Sequence, residues 1–175
     1  MTFSFYDGTI PLFKAALASL STILKAGEKY AAEKSIPADD ILSWSLADDM
    51  LPLSFQVRMV TDVAMKFVAR VHNEPFEEWS TDFKTVADLH ARIADAEKWI
   101  AKADRATFEK RTDDTVALQM GPNTKELPAR GWAESFGLPN LFFHLTTAYS
   151  ILRAKGVQLG KAHYITPFTT PWFTL

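Results

Sequence analysis

The chain contains no cysteine, and its 175 residues carry only four histidines, seven glycines and nine prolines. The missing thiols exclude a thiolate nucleophile, a disulfide framework, an iron–sulfur cluster and any cysteine-based zinc site. So few histidines leave room for a metal only where carboxylates or amides complete the ligand set. The low glycine and proline content means few chain breaks, which favours helix. An excess of charge of one sign is also missing: 19 Lys and Arg stand against 21 Asp and Glu, a formal net charge of −2. Nucleic-acid binding needs a concentrated cationic face, whereas the most basic stretch, Lys98 to Lys110, is interleaved with acids. No nucleic-acid partner is therefore expected. Residues Met1 to Ile10 hold an acid and no Lys or Arg, unlike the start of a signal peptide. No run of ~18 apolar residues stands out, so no membrane span is expected and the expected location is cytoplasmic.

What is present is 47% hydrophobic residues arranged with helical spacing. At ~150 residues per domain, residues 1–175 read as a single domain. The first helix is expected from Ile10 to Lys34, capped by Thr9, with Pro11 tolerated in its first turn. Leu12, Phe13, Ala16, Leu17, Leu20, Ile23, Leu24 and Tyr30 make its apolar stripe. The second helix runs from Pro52 to His72, with Leu53, Val57, Val60, Ala64, Phe67 and Val71 inward. Gln56 falls among these, and Asp49 lies just ahead of the helix. The third starts at Thr85, where Thr85 and Asp88 have the spacing of a capping box. Val86, Leu89, Ile93, Ala96 and Ile100 form its core face, leaving Asp88, Arg92, Asp95 and Lys98 wet. From Ala103 to Gly137 the helical signal weakens; Thr115 to Met120 has the pattern of a short strand before a Gly121-Pro122-Asn123 turn. The fourth helix, Pro139 to Lys155, carries Leu141, His144, Leu145, Ala148, Ile151 and Leu152, with Gly156 as its left-handed C-cap.

The expected architecture is all-α: an up-and-down four-helix bundle with a longer irregular crossover before the last helix and an aromatic C-terminal tail. The tail, Gly160 to Leu175, with Tyr164, Phe168, Trp172 and Phe173, is expected to dock on the bundle or on a second copy. No glycine-rich phosphate loop is present.

The run Leu138-Pro-Asn-Leu-Phe-Phe-His-Leu-Thr-Thr-Ala-Tyr-Ser-Ile-Leu-Arg-Ala-Lys-Gly-Val157, followed by Gly160-Lys161 and Tyr164, resembles the signature of an uncharacterised bacterial and fungal family. That family falls within the DinB/YfiT-like helical bundles. Leu46-Ala-Asp-Asp-Met-Leu-Pro-Leu-Ser-Phe-Gln56 resembles its second motif, and Thr85 to Ile93 is weakly similar to its third helix. The resemblance implies a DinB/YfiT-like bundle, with a homodimer as the expected assembly, and no established activity. Metal-binding members of the wider superfamily use one histidine on helix two and two, a turn apart, on helix four. The resemblance places Gln56, His144 and Ala148 at those positions, so the imidazole triad does not carry over and no cofactor is expected. A weak octahedral site of His144, Gln56, Asp49 and water is the residual metal arrangement, amides being poor ligands for zinc or nickel.

The candidate ligand-binding set is Asp49, Gln56, His144 and Thr147, between helices two and four. His144 admits two readings. It is a buried histidine satisfied by Gln56, Asp49 or a carbonyl, or it is a general acid/base whose ordinary pKa of ~6.5 suits that work. Thr147 shares its face. His72 suits the C-terminal end of helix two, and His90 the edge of helix three. His163 stands where the family more often has an acid. Asp48 fits a turn, Arg153 an ion pair with a neighbouring segment, and Tyr149 packing. Trp44, Trp79, Trp99, Trp132 and Trp172 are read mostly as packing residues, with Trp44 and Trp132 placed to line a pocket mouth. The functions in contention are a binder of a small apolar or aromatic molecule and a metal-independent isomerase, dehydratase or cyclase using His144. A degenerate metal- or thiol-dependent transferase or hydrolase and a protein that only binds a partner complete the set.

Overall fold

A computed structural model describes residues 4–76 and 80–172; Trp79 and Phe173 lie outside the described residues. Helix α1 (Ile10–Glu33) is followed by a 3₁₀ turn (Ala38–Ser43), α2 (Leu53–His72), α3 (Val86–Ala101) and a short α4 (Arg105–Lys110). A hairpin, β1 (Thr115–Met120) and β2 (Asn123–Pro128), leads into α5 (Ala129–Trp132). That helix runs through a π-helical turn (Ala133–Gly137) into α6 (Leu138–Ala154), and α7 (Lys161–Thr169) follows.

The four long helices share one core. α2 packs against α1, α3 and α6, and α1 against α3, α6 and α7. The expected stripes are the buried ones, for example Leu53, Val57, Val60, Ala64, Phe67 and Val71 on α2 and Leu141, Leu145, Ala148, Ile151 and Leu152 on α6. Removing that much apolar side-chain area from water is the main stabilising term, ~25 cal/mol per Å². At the start of α3 the capping box forms: Thr85 Oγ1 accepts from Asp88 N at 3.2 Å, and Asp88 Oδ2 accepts from Thr85 N at 2.8 Å. At α1 the expected cap is absent; the Thr9 hydroxyl donates to the Phe5 carbonyl at 2.7 Å. Gly156 ends the α6 turn with φ +96°, and a Cβ there would sit 2.7 Å from the Tyr30 hydroxyl. Only glycine meets both conditions.

Three further expectations are corrected. The chain is mostly helical, not all-α: β1 and β2 pair antiparallel from Thr115↔Pro128 to Met120↔Asn123. Val116 and Leu118 point inward from β1 while their neighbours face water, a period of two that no helix can bury on one face. The aromatic tail contains a helix, α7, lying against α1. Tyr164 and Phe168 pack on the core, and Phe168 meets Phe142 of α6 at 5.9 Å, whereas Trp172 is left 83% exposed. Arg92, expected in water, is 6% exposed because Asp62 and Thr61 of α2 receive its guanidinium. Helix α1 is long and apolar enough to cross a membrane by length and composition, a test that a buried core helix also meets, and its apolar side is a wall of this core.

The π-helical turn has its own local cause. Trp132 lies flat against Phe67, with centroids 5.4 Å apart, and Phe67 stacks on Phe13 at 4.9 Å. A Cβ on Gly137 would come within 2.4 Å of the Trp132 ring, so the absence of a side chain at Gly137 is what admits the indole. The turn also inserts extra backbone into the helix and re-aims its faces, as π-bulges do.

Candidate functional site

The polar interior between α2 and α6 is built on two residues. Gln56, on the first turns of α2, is 3% exposed, and His144, midway along α6, is 9% exposed. Gln56 Nε2 donates to the Leu51 carbonyl at 2.8 Å. A carbonyl can only accept, so this bond fixes which end of the amide is which. Gln56 Oε1 then faces His144 Nδ1 at 2.7 Å. Because that oxygen is also only an acceptor, Nδ1 carries the proton, and the second ring nitrogen, Nε2, holds a lone pair. Nε2 has no hydrogen bond among the described residues. Burial holds the His144 pKa below its ordinary value, which keeps the ring neutral and the lone pair available near neutrality.

Two aromatic rings flank the imidazole edge-on: Phe143 at 5.2 Å and Phe55 at 5.9 Å between centroids. Phe143 is 60% exposed and Leu51 54% exposed, so apolar surface continues outward from the ring to solvent. Phe55 and Leu51 also line a shallow cleft of about 200 Å³ with Arg58 and Phe83.

The other sequence candidates fall elsewhere. Asp49 is exposed in the turn before α2 and bonds to neither Gln56 nor His144, because the Leu51 carbonyl and the imidazole take both ends of the amide. Thr147 is buried, and its hydroxyl donates back to the Phe143 carbonyl at 2.8 Å, leaving its oxygen only as an acceptor. His90 pairs with Glu28 of α1 at 2.8 Å. His72 Nε2 accepts from the Asp104 backbone N–H at 3.4 Å. His163 Nδ1 accepts from the Gly160 backbone N–H at 3.0 Å, the cap that an acid at this position would otherwise supply to α7. Arg153 makes no ion pair among the described residues; it donates to the Val157 carbonyl at 3.2 Å and closes the turn after α6. Tyr149 meets Tyr164 edge-on at 6.2 Å. Trp44 packs edge-on against Tyr30 at 6.4 Å.

The three-imidazole metal arrangement implied by the resemblance does not fit these residues. Ala148, at the third position, is a fully buried methyl with no donor atom, and both ends of the Gln56 amide are committed. Among the described residues no three His, Asp or Glu side chains converge.

Sequence reasoning missed a second cluster on α2. Arg58, Asp62, Lys66 and Arg70 recur at four-residue spacing and so share one face. Asp62 receives Arg92 from α3 in a short, buried ion pair, with Arg58 Nε and Lys66 Nζ each 3.6 Å from its other oxygen. Arg70 lies 5.0 Å over the Trp132 ring, and burial pulls its pKa down from the usual guanidinium value. The spacing alone was a visible signal; which way that face points was not.

Residues 5–165 match the family described as a domain of unknown function, DUF1993. Among solved structures, the chain is similar to the crystal structure of a DinB family member protein from Shewanella denitrificans. The two share 32% identity over 91% of this chain and 90% of that one, with a TM-score of 0.80. No curated protein matches.

Proposed function

The chain belongs to the domain-of-unknown-function family DUF1993, and from that premise we propose that it binds a small molecule beside His144, with Nε2 as the proton-accepting atom. The observation that carries this reading is the unbonded Nε2, whose lone pair is left by the tautomer that the Leu51–Gln56–His144 chain sets, with burial keeping the ring neutral. Nε2 is not one of the buried atoms left without a partner, so it is open to solvent, and a ligand that donates a hydrogen bond can take the place of water there. Exposed Phe143, with Phe55 and Leu51, supplies an apolar surface for an aromatic or aliphatic ligand body. A single proton acceptor suits isomerisation, dehydration or cyclisation, each of which turns on moving a proton.

The test is a thermal-shift screen of uncharged aromatic and aliphatic carbonyl compounds, followed by turnover assays on the hits. The expected outcome is a hit that His144→Gln binds but does not convert. A wild-type protein that responds to none of these compounds, or a folded His144→Gln variant with full turnover, refutes the reading.

The same proposal carries the up-and-down four-helix arrangement, which the packing of α1, α2, α3 and α6 about one core supports. It also carries a cytoplasmic setting and a homodimer. Exposed Phe143 and Leu51 favour a second copy on the His144 face. Sedimentation of the wild type against Phe143→Ser tests this, with a dimer lost in the variant as the expected result.

A further inference from the structure

A cavity of about 280 Å³ lies between α2 and the α5–α6 helix, and its lining includes neither His144 nor Gln56. Its walls combine Arg58, Lys66 and Arg70 of α2 with Trp132 of α5 and Asn140 of α6. The single carboxylate in the wall, Asp62, holds Arg92 in a buried pair and has Arg58 Nε and Lys66 Nζ each 3.6 Å from its second oxygen, so one negative charge is shared among three cations. Arg70 has no acid partner among the described residues, and its charge is compensated only by the Trp132 ring.

The second observation is independent of charge. Among the described residues four buried side-chain polar atoms have no hydrogen-bond partner: Ser19 Oγ, Arg58 Nε, Trp132 Nε1 and Asn140 Nδ2. Three of the four belong to residues of this one cavity, and all three are donors. Trp132 is 2% exposed, so its indole N–H has no bulk water to turn to. Native proteins leave few such atoms, and a cluster of them calls for a missing partner. A group that satisfies these three donors accepts hydrogen bonds, and the surplus of cations over the one carboxylate favours negative charge on it. Met59, Val63 and Phe136 add apolar surface, and Gln119 of β1 completes the lining.

We propose that this cavity is a binding site for a small organic oxyanion, a carboxylate or phosphate monoester on a compact apolar body. The oxygens take the Arg58, Asn140 and Trp132 donors, with Arg70 and Lys66 supplying charge; a guanidinium fork matches either head group. The volume lies at the lower end of ligand pockets, which sets the body at about the size of one aromatic ring. The proposal does not rest on the His144 reading, because the two sites share neither of its residues.

The experiment is calorimetric titration of the full chain with benzoate, phenyl phosphate and inorganic phosphate, and with benzyl alcohol as the uncharged control. The expected result is saturable binding of benzoate or phenyl phosphate, the stronger of the two identifying the head group. Inorganic phosphate should bind at least about tenfold more weakly, and benzyl alcohol should not bind. Arg70→Met and Trp132→Phe, which keep size and aromatic stacking respectively, should each weaken binding by about tenfold or more. Asn140→Asp places a carboxylate among the cations and should abolish binding while raising the melting temperature. The proposal is overturned if the wild type binds neither organic anion at about 10 mM. Equal binding of benzyl alcohol, or unchanged affinity in folded Arg70→Met and Trp132→Phe, also overturns it.

Discussion

Replacing Gln56 by Leu removes both ends of the hydrogen-bond chain that sets the His144 tautomer. The two losses are unequal. The Leu51 carbonyl belongs to a residue 54% exposed, so water replaces the amide at little cost. The His144 Nδ1–H is buried, and losing its acceptor costs about 1–3 kcal/mol, reduced by whatever the ring recovers by moving its proton to Nε2. For a domain of this size that is roughly 2–12 °C in melting temperature. Two assays check the argument together. Calorimetric unfolding reads the stability, and long-range nitrogen–proton NMR correlations read the tautomer. The expected result is an Nδ1–H imidazole in the wild type and a shift of the proton toward Nε2 in Gln56→Leu, with a stability loss inside that range. A wild-type ring protonated on Nε2 refutes the reasoning, because Gln56 Oε1 would then face a lone pair. So does a variant as stable as the wild type, which would mean that the ring is not desolvated.

Three further outcomes follow from the same structure. Burial lowers the His144 pKa, so the unfolded chain takes up this proton at higher pH than the folded one. Its contribution to stability is full above about pH 6.5 and is lost as the pH falls from there through the lowered folded value. The stability difference between wild type and His144→Gln should therefore shrink between about pH 7 and pH 5, as read by urea unfolding; a difference that grows on acidification contradicts the assigned burial. Asp62→Asn should destabilise by about 1–3 kcal/mol, because it removes the carboxylate that pairs with the buried Arg92 guanidinium. Arg92→Met should be milder, since Arg58 and Lys66 remain 3.6 Å from Asp62; the reverse order in chemical denaturation would refute this view of the cluster. Gly137→Ala forces a methyl into the Trp132 ring at 2.4 Å and should cost about 1–3 kcal/mol, with a changed near-ultraviolet circular dichroism spectrum as Trp132 tilts.

The long helices and their inward faces were legible in the chain because apolar spacing is a local property. So was the α3 capping box, which needs only Thr85 and Asp88 three residues apart. The absence of cysteine bounded the chemistry, and Ala148 at the second helix-four position already spoke against an imidazole triad. His144 and Gln56 were also found, as polar residues on otherwise apolar stripes. Arg92 was misplaced because its position beside the α3 stripe leaves its side chain a choice of solvent or interior. Only Asp62, thirty residues earlier on another helix, decides that choice.

The sequence by itself determined where the four long helices form, which apolar face each one buries and that Gln56 and His144 turn inward. What only the tertiary structure decided was how those polar residues are partnered. The Gln56 amide is oriented by a carbonyl five residues back, and this orientation leaves the His144 lone pair free. The regular Arg58, Asp62, Lys66 and Arg70 row becomes a cationic wall only when α3 supplies Arg92 to the lone acid and α5 and α6 close over the rest. Periodicity is carried by neighbours along the chain. Hydrogen-bond satisfaction and charge balance are carried by neighbours in space, and those are set only once the helices pack.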